Sequence, residues 1–300
     1  MSSEPVGRDG DVDGEHDTDE HGPDGGAEQP DLPVPVDPAQ LAELLQHGGI
    51  EVVGRLVQAS NATLLVRVEL DGHATRAVYK PVRGERPLWD FPHGTLADRE
   101  VATRVVCEAL GHDTVPMTVA RRTGPFGEGS IQVWVDEADD EPLVDVVDPR
   151  RLPEGWLVVL RAEGERGEPV LLVHRDEPAL RRMALLDAVC NNADRKGGHV
   201  LRGVDGSVRG VDHGLTFNAD DKLRTVLWGW AGDPLSSPER DTLGRLEEEL
   251  APGGPLAERL HPLLRLDEVA RTRERVAELL AEGTLPEASG RWPAIPWPAL

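Results

Sequence analysis

An α+β fold of two lobes, the first rich in strands and the second mainly helical, is the class this 300-residue sequence predicts. Three observations carry it. Short alternating apolar segments separated by turns fill residues 50–79, the period-2 pattern of half-buried strands. Amphipathic stretches with helical spacing dominate after Pro178. Between them a polar loop, Asn191-Asn192-Ala193-Asp194-Arg195-Lys196-Gly197-Gly198-His199, leaves a helix and leads through the turn Asp205-Gly206-Ser207 to Val211-Asp212-His213-Gly214.

Composition bounds the reading. Three hundred residues suffice for one bilobal domain or two small ones. Hydrophobic residues make up 39% and aromatics only 4%, which suits a core of Val, Leu and Ala. The net charge is −23, and residues 1–37 hold twelve Asp and Glu against one Arg. Nucleic acids and anionic membranes attract basic patches, so neither is an expected partner. No signal peptide opens the chain, and no apolar run approaches the ~20 residues of a membrane span. A cytoplasmic protein without stable membrane insertion is expected. Cys107 and Cys190 lack metal or redox spacing and read as buried reduced thiols. The only lysines are Lys80, Lys196 and Lys222 among many arginines, which suggests positions where a compact ammonium is required.

The elements follow in order. Residues 1–36 carry almost nothing apolar and are expected to be a disordered acidic tail. Asp37-Pro38 starts a short helix that ends at Gly48-Gly49. Ile50 to Val57, Leu64 to Leu70 and Thr75 to Tyr79 read as three strands, the third closing on Lys80-Pro81. Ala59 to Thr63 is a turn of small polar residues, either an ordinary hairpin or a site where backbone N–H groups and the Ser60, Asn61 and Thr63 side chains meet phosphates. Thr95 caps a helix from Leu96 to Leu110, on which Glu100 lies beside the apolar face Ala97, Val101, Val105 and Ala109. Val115 to Arg121 and Ser130 to Val135 form a second hairpin.

A second lobe, residues 137–300, follows the first, residues 37–136. Leu157 to Leu160 and Val170 to Val173 are short apolar pieces. Pro178 opens a helix to Cys190 that delivers the polar loop. Leu223 to Trp230 is apolar and Trp-rich, with Trp228 and Trp230 serving either the core or a substrate site. Ser237-Pro238-Glu239 caps a helix to about Leu250, and two more helices occupy 255–264 and 266–280. The segment Arg291 to Pro298 is proline-rich yet apolar and is expected to pack back on the domain.

The order of these features is the arrangement by which kinases hold a nucleotide. Asp194 stands as the base for an acceptor hydroxyl, with Lys196 and Arg195 beside the transferring group. Lys80 closes the third strand to hold the α- and β-phosphates. Its ion-pair partner is Glu100, with Asp98 the fallback. Gln132, Val133, Trp134 and Val135 form the hinge that meets adenine. His199 and Asp212 take the metal positions.

Asp194-Arg195-X-X-X-His199 resembles the Asp-Arg-His-X-X-Asn loop of phosphatidylinositol 3-/4-kinase-like proteins, in particular an actinobacterial branch. Val211-Asp212-His213-Gly214 is similar to their Asp-Phe-Gly element. The resemblance covers roughly residues 51–230. It implies a bilobal protein-kinase-like fold, ATP with Mg²⁺ or Mn²⁺, and transfer to a hydroxyl acceptor. A lipid acceptor rests on the resemblance alone; a protein or small hydroxyl compound ranks ahead of it. His199 replaces the usual Asn, and imidazole nitrogen suits Mn²⁺ better than Mg²⁺, so Mn²⁺ is the expected preference. A pseudokinase or nucleotide-binding regulator without turnover, and a non-catalytic acidic scaffold, are the alternatives.

Overall fold

The computed structural model describes residues 34–35, 37–56, 62–91, 95–139, 142–290 and 292–300. The expected acidic tail therefore lies outside the described residues except at 34–35.

Helix α1 (Pro38–His47) starts where the Asp37 carboxylate accepts the Ala39 N–H and proline fills the first turn. Strands β1 (Gly49–Arg55), β2 (Leu64–Leu70) and β3 (His73–Pro81) form an antiparallel meander. Asp71 and Gly72 both take positive φ between β2 and β3, the geometry of a tight two-residue hairpin turn. Helix α2 (Leu96–Ala109) is capped by the Thr95 hydroxyl. Strands β4 (Thr118–Arg121) and β5 (Gly129–Val133) complete one sheet of order β1-β2-β3-β5-β4. β4 begins three residues later than the pattern suggested, after Pro116, which has no N–H for a ladder.

Alternation gives this sheet two different faces. Val66, Val68, Ala77, Tyr79, Val119 and Ile131 are buried with Leu44 and Leu45 of α1. Lys80 and Val78 point the other way, and Val78 stands opposite Leu65 on β2 and Gln132 on β5. Helix α2 packs beside β4 and β5.

The second half holds more strand than expected. Strands β6 (Val144–Val147), β7 (Trp156–Glu163) and β8 (Pro169–Arg175) form an antiparallel sheet of order β6-β8-β7. A register irregularity between Val158 and Leu160 interrupts β7, so its sequence lacks the clean alternation that would have marked eight residues as one strand. Helix α3 (Pro178–Cys190) leads to the short hairpin of β9 (Val200–Arg202) and β10 (Val208–Gly210). Helices α4 (Ser237–Glu249), α5 (Pro255–Leu260) and α6 (Leu266–Glu282) follow. The cap of α4 is Ser236, one residue earlier than expected, because only that position has a glutamate three residues on to close a capping box with Glu239. Met183, Leu186, Leu243, Leu246 and Val276 belong to one buried core that also takes in Val106 and Leu110 near the end of α2. Cys107 and Cys190 are buried free thiols. Among the described residues no helix is long and apolar enough to cross a membrane.

Candidate functional site

Three elements converge where β3, α2 and the segment after β10 meet. Lys80 leaves the end of β3 and forms ion pairs with Glu100 of α2 and with Asp212, at 2.8 Å from the Asp212 Oδ1. Glu100 is buried on α2, and its second oxygen accepts the His213 N–H at 2.9 Å. Asp98, the fallback partner, instead bonds the Thr95 hydroxyl.

Burial alone would lower the Lys80 ammonium, but the carboxylates of Asp212 and Glu100 outweigh it and hold its pKa above the usual lysine range. The same contact, with Lys80 as the largest cause, holds the Asp212 carboxyl well below the usual carboxylate range. Asp212 has a φ of 58°, a left-handed backbone that costs a non-glycine residue energy and turns its side chain toward Lys80. Its side chain remains 55% exposed.

The polar loop sits beside this group. Asp194 bonds Lys196 at 3.1 Å, and burial raises its carboxyl pKa against the pull of that ammonium. His199 Nδ1 donates to the Asp194 carbonyl at 2.9 Å, and its Nε2 lies 3.5 Å from Asp212 Oδ2. Burial keeps this imidazole neutral below its ordinary pKa.

Asp187 organises the loop from within α3. It is buried, and it accepts from Arg195 Nη2 at 2.8 Å, Arg195 Nε at 2.9 Å and Asn192 Nδ2 at 2.9 Å. Arg195 also donates to the Val211 carbonyl at 3.0 Å and to His213 Nε2 at 2.7 Å. The guanidinium is 0% exposed. From this buried position it bonds both motifs, and it does not line the cavity that Asp194 and Asp212 line.

A cavity of about 270 Å³ opens over these groups, lined among others by Thr63, Lys80, Glu100, Asp194 and Asp212. Ser60 and Asn61 lie outside the described residues. Val133, Trp134 and Val135 border a different cavity of about 440 Å³, together with Met117, Asp136 and Val204. Gln132 is buried and donates to the Thr118 hydroxyl at 2.7 Å. The structure thus brings together Lys80, Glu100, Asp194, Lys196, His199, Asp212 and Thr63, and leaves the side chains of the hinge segment apart from them.

No family model matches the chain. Protein Rv2133c of Mycobacterium tuberculosis (strain ATCC 25618 / H37Rv) is 47% identical over 265 residues, spanning 85% of this chain and 94% of that protein. The chain belongs to the Rv2133c family. Among solved structures, the Golgi casein kinase with Mn/ADP bound superposes with a TM-score of 0.51 at 16% identity, over 88% of this chain and 80% of that one. Hydra Fam20 with sugar gives a TM-score of 0.49 at 14% identity, over 81% of this chain and 87% of that one. With the first of these and the strand order described above, the Rv2133c-family chain has a kinase-like α+β fold.

In this Rv2133c-family site the donor set also fits a divalent cation. Among the described residues no group of three or more His, Cys, Asp and Glu could hold a metal by itself. Yet the His199 Nδ1 hydrogen is committed to the Asp194 carbonyl, so the Nε2 lone pair faces a carboxylate oxygen. Two acceptors that face each other at this distance are stabilised by a cation between or beside them. Two protein ligands plus phosphate oxygens and water is the usual provision in nucleotide sites.

Sequence reasoning missed Asp187. A carboxylate at the centre of an otherwise apolar helical stretch, Met183 to Cys190, was the available signal, since a buried charge requires a partner.

Proposed function

We propose that this protein is an ATP- and metal-dependent phosphotransferase acting on a hydroxyl acceptor. The observation that carries the reading is the Lys80 ammonium shared by Glu100 and Asp212, three residues from three separate elements, at the mouth of a cavity that also exposes Asp194. The kinase-like fold supports it, as does the Mn/ADP bound to the Golgi casein kinase of similar fold.

In this reading Lys80 holds the α- and β-phosphates and Glu100 fixes the lysine's direction. Asp212 and His199 hold the cation, which when bound supplies neutralisation of the phosphate oxygens. Asp194 accepts the proton of the acceptor hydroxyl, and its raised pKa makes it a better base than an exposed aspartate. The acceptor oxygen then bonds to the γ-phosphorus while the bond from that phosphorus to the β–γ bridging oxygen breaks, and ADP leaves with the electron pair. Lys196 stabilises charge on the transferring group. The Thr63 hydroxyl contacts the phosphates, and the main chain of residues 132–135 meets adenine. The finer phosphatidylinositol 3-/4-kinase likeness is supported only by the motif order from Asp194 to Asp212.

Thermal unfolding with and without ATP, in Mg²⁺ and in Mn²⁺, tests the reading. At ~100-fold excess over its dissociation constant a ligand adds about 2.7 kcal/mol. A metal-dependent rise in Tm that disappears in Asp212→Ala is expected; no rise in any condition rejects it. The substituted His199 favours a second reading, a nucleotide-binding pseudokinase. Phosphate transfer by the wild type that is lost in Asp194→Asn, with the nucleotide-dependent rise retained, excludes that alternative.

A further inference from the structure

Residues 292–300 do not merely return to the domain; they lie along the polar loop itself. The loop runs beside the segment 222–228, with Arg224 N donating to the Asn192 carbonyl at 2.9 Å and Val226 N to the Arg195 carbonyl at 3.1 Å. Two further N–H groups of this pair of segments, those of Gly197 and Thr225, donate to the Ala299 and Ala294 carbonyls at 2.8 and 3.1 Å. The Trp228 indole donates to the same Ala294 carbonyl at 2.8 Å. Leu300 fills the space a Cβ on Gly197 would need, 2.5 Å from that position. Trp292 lies over the Lys222 ammonium at 5.0 Å, and Ile295 and Ala299 pack against the core.

An extended polypeptide docks through main-chain hydrogen bonds to free backbone groups beside the reacting centre. Here those donors, the first next to Lys196 and the second bridged to Arg195, are taken by the chain's own carbonyls. The occupying segment, Trp292-Pro293-Ala294-Ile295-Pro296-Trp297-Pro298-Ala299-Leu300, has no hydroxyl side chain, so it is not itself an acceptor. The cavity over Asp194 is lined on its other sides by Glu85, Arg86, Leu96 and Leu215, and by no residue of 292–300.

We infer that residues 292–300 wall off the polypeptide side of the site, and that the phosphate acceptor is a small hydroxyl compound entering the cavity above Asp194. This rests on the phosphotransferase reading. The acceptor hydroxyl gives its proton to Asp194 and its oxygen bonds the γ-phosphorus as ADP departs, the same balanced transfer as above.

The test uses the full chain with Mn²⁺ and ATP labelled at the γ-phosphate. One arm offers casein and a degenerate peptide library containing Ser, Thr and Tyr. The other offers a panel of hexoses, polyols, nucleosides and hydroxy amino acids. Hydrogen exchange of the 195–200 and 222–228 segments is followed in parallel. Label on at least one small compound and none on polypeptide, with slow exchange of the Gly197 and Thr225 amides, is the expected result. Label on polypeptide, or fast exchange of the Gly197 and Thr225 amides, overturns the inference. The phosphotransferase reading itself fails differently, by the absence of any rise with nucleotide or by a rise with no label on polypeptide or small compound.

Discussion

The Lys80 ammonium lies 2.8 Å from the Asp212 carboxylate although 132 positions separate the two residues in the chain. With buried Glu100 on the other side, one cation serves two carboxylates. Replacing Lys80 by Met leaves these two negative charges facing each other. Loss of one partner of a buried pair costs about 3–5 kcal/mol, and the partial opening of Lys80 to solvent places the expected loss at the lower end. Adding Glu100→Gln should recover part of the stability and none of the nucleotide-dependent rise in Tm. Urea unfolding with and without Mn-ATP measures both; a Lys80→Met variant that keeps the full nucleotide effect contradicts the assigned role.

Asp187 carries no contact with the cavity, yet the polar loop hangs on it. Asp187→Ala leaves Arg195 a buried cation without its carboxylate, and a loss of about 3–5 kcal/mol is expected in urea unfolding. Asp187→Glu, which keeps the charge but lengthens the arm, should cost less stability than Asp187→Ala while still displacing Asp194. A variant as stable as the wild type would mean that Arg195 has another anchor.

Asp194→Asn should leave the nucleotide-dependent rise in Tm close to that of the wild type, because Lys80, Asp212 and His199 are untouched. Turnover should fall by about 10²–10⁴-fold, the usual contribution of a positioned base. Single-turnover transfer to the acceptor found in the screen separates the two quantities, and equal turnover would remove Asp194 from the chemistry.

His199 places a nitrogen beside Asp212 where an Asn would place an oxygen. Mn²⁺ is expected to support tighter nucleotide binding than Mg²⁺, and His199→Asn should shift the preference toward Mg²⁺. Calorimetric titration of ATP in each metal reads this directly; identical affinities for both proteins in both metals would contradict it.

Buried His174 accepts the Gly229 N–H at 3.0 Å through Nε2 and bonds the Arg175 carbonyl at 2.9 Å through Nδ1, an arrangement only the neutral ring can make. Burial accordingly lowers its pKa from the ordinary value. In the unfolded chain the ring takes a proton near pH ~6.5. Its contribution to stability is therefore full above that value and is lost as the pH falls below it, at up to roughly 1.4 kcal/mol per pH unit for one proton. His174→Leu should flatten this part of the stability profile between pH 7 and 5, at about the cost of one hydrogen bond, ~1 kcal/mol. An unchanged slope would assign the acid sensitivity elsewhere.

Much of the strand-rich half could be read from the chain because β2 and most of β3 alternate and the turn between them carries its marker, Asp71-Gly72. Lys80 and Glu100 were legible as a pair since a lysine closing an apolar strand needs a carboxylate, and the next helix carried one beside its apolar face. Asp194, His199 and Asp212 were legible by order along the chain. What escaped depends on contacts that spacing does not encode. The sheet of β6, β7 and β8 was obscured by the irregular register of β7. Arg195 read as lying beside the transferring group because it adjoins Asp194, yet Asp187, eight residues earlier on a helix, draws it inward. The course of 292–300 along the polar loop depends on carbonyls meeting the Gly197 and Thr225 amides, and no side-chain pattern announces a main-chain contact.

Helix α1 has a practical consequence. Arg121 of β4 is buried and donates to the carbonyls of Leu45 and Gly48 at 2.8 and 2.6 Å, latching the end of this helix onto the sheet. A fragment trimmed to start at residue 49, with the first strand, would strip the lid from Val66, Val68, Ala77, Tyr79 and Ile131 and leave Arg121 without two acceptors. Such a fragment would self-associate through the bared face and report low solubility as though the whole protein were at fault. For anyone preparing the protein, the useful starting point lies at or before Asp37, the residue that caps the helix.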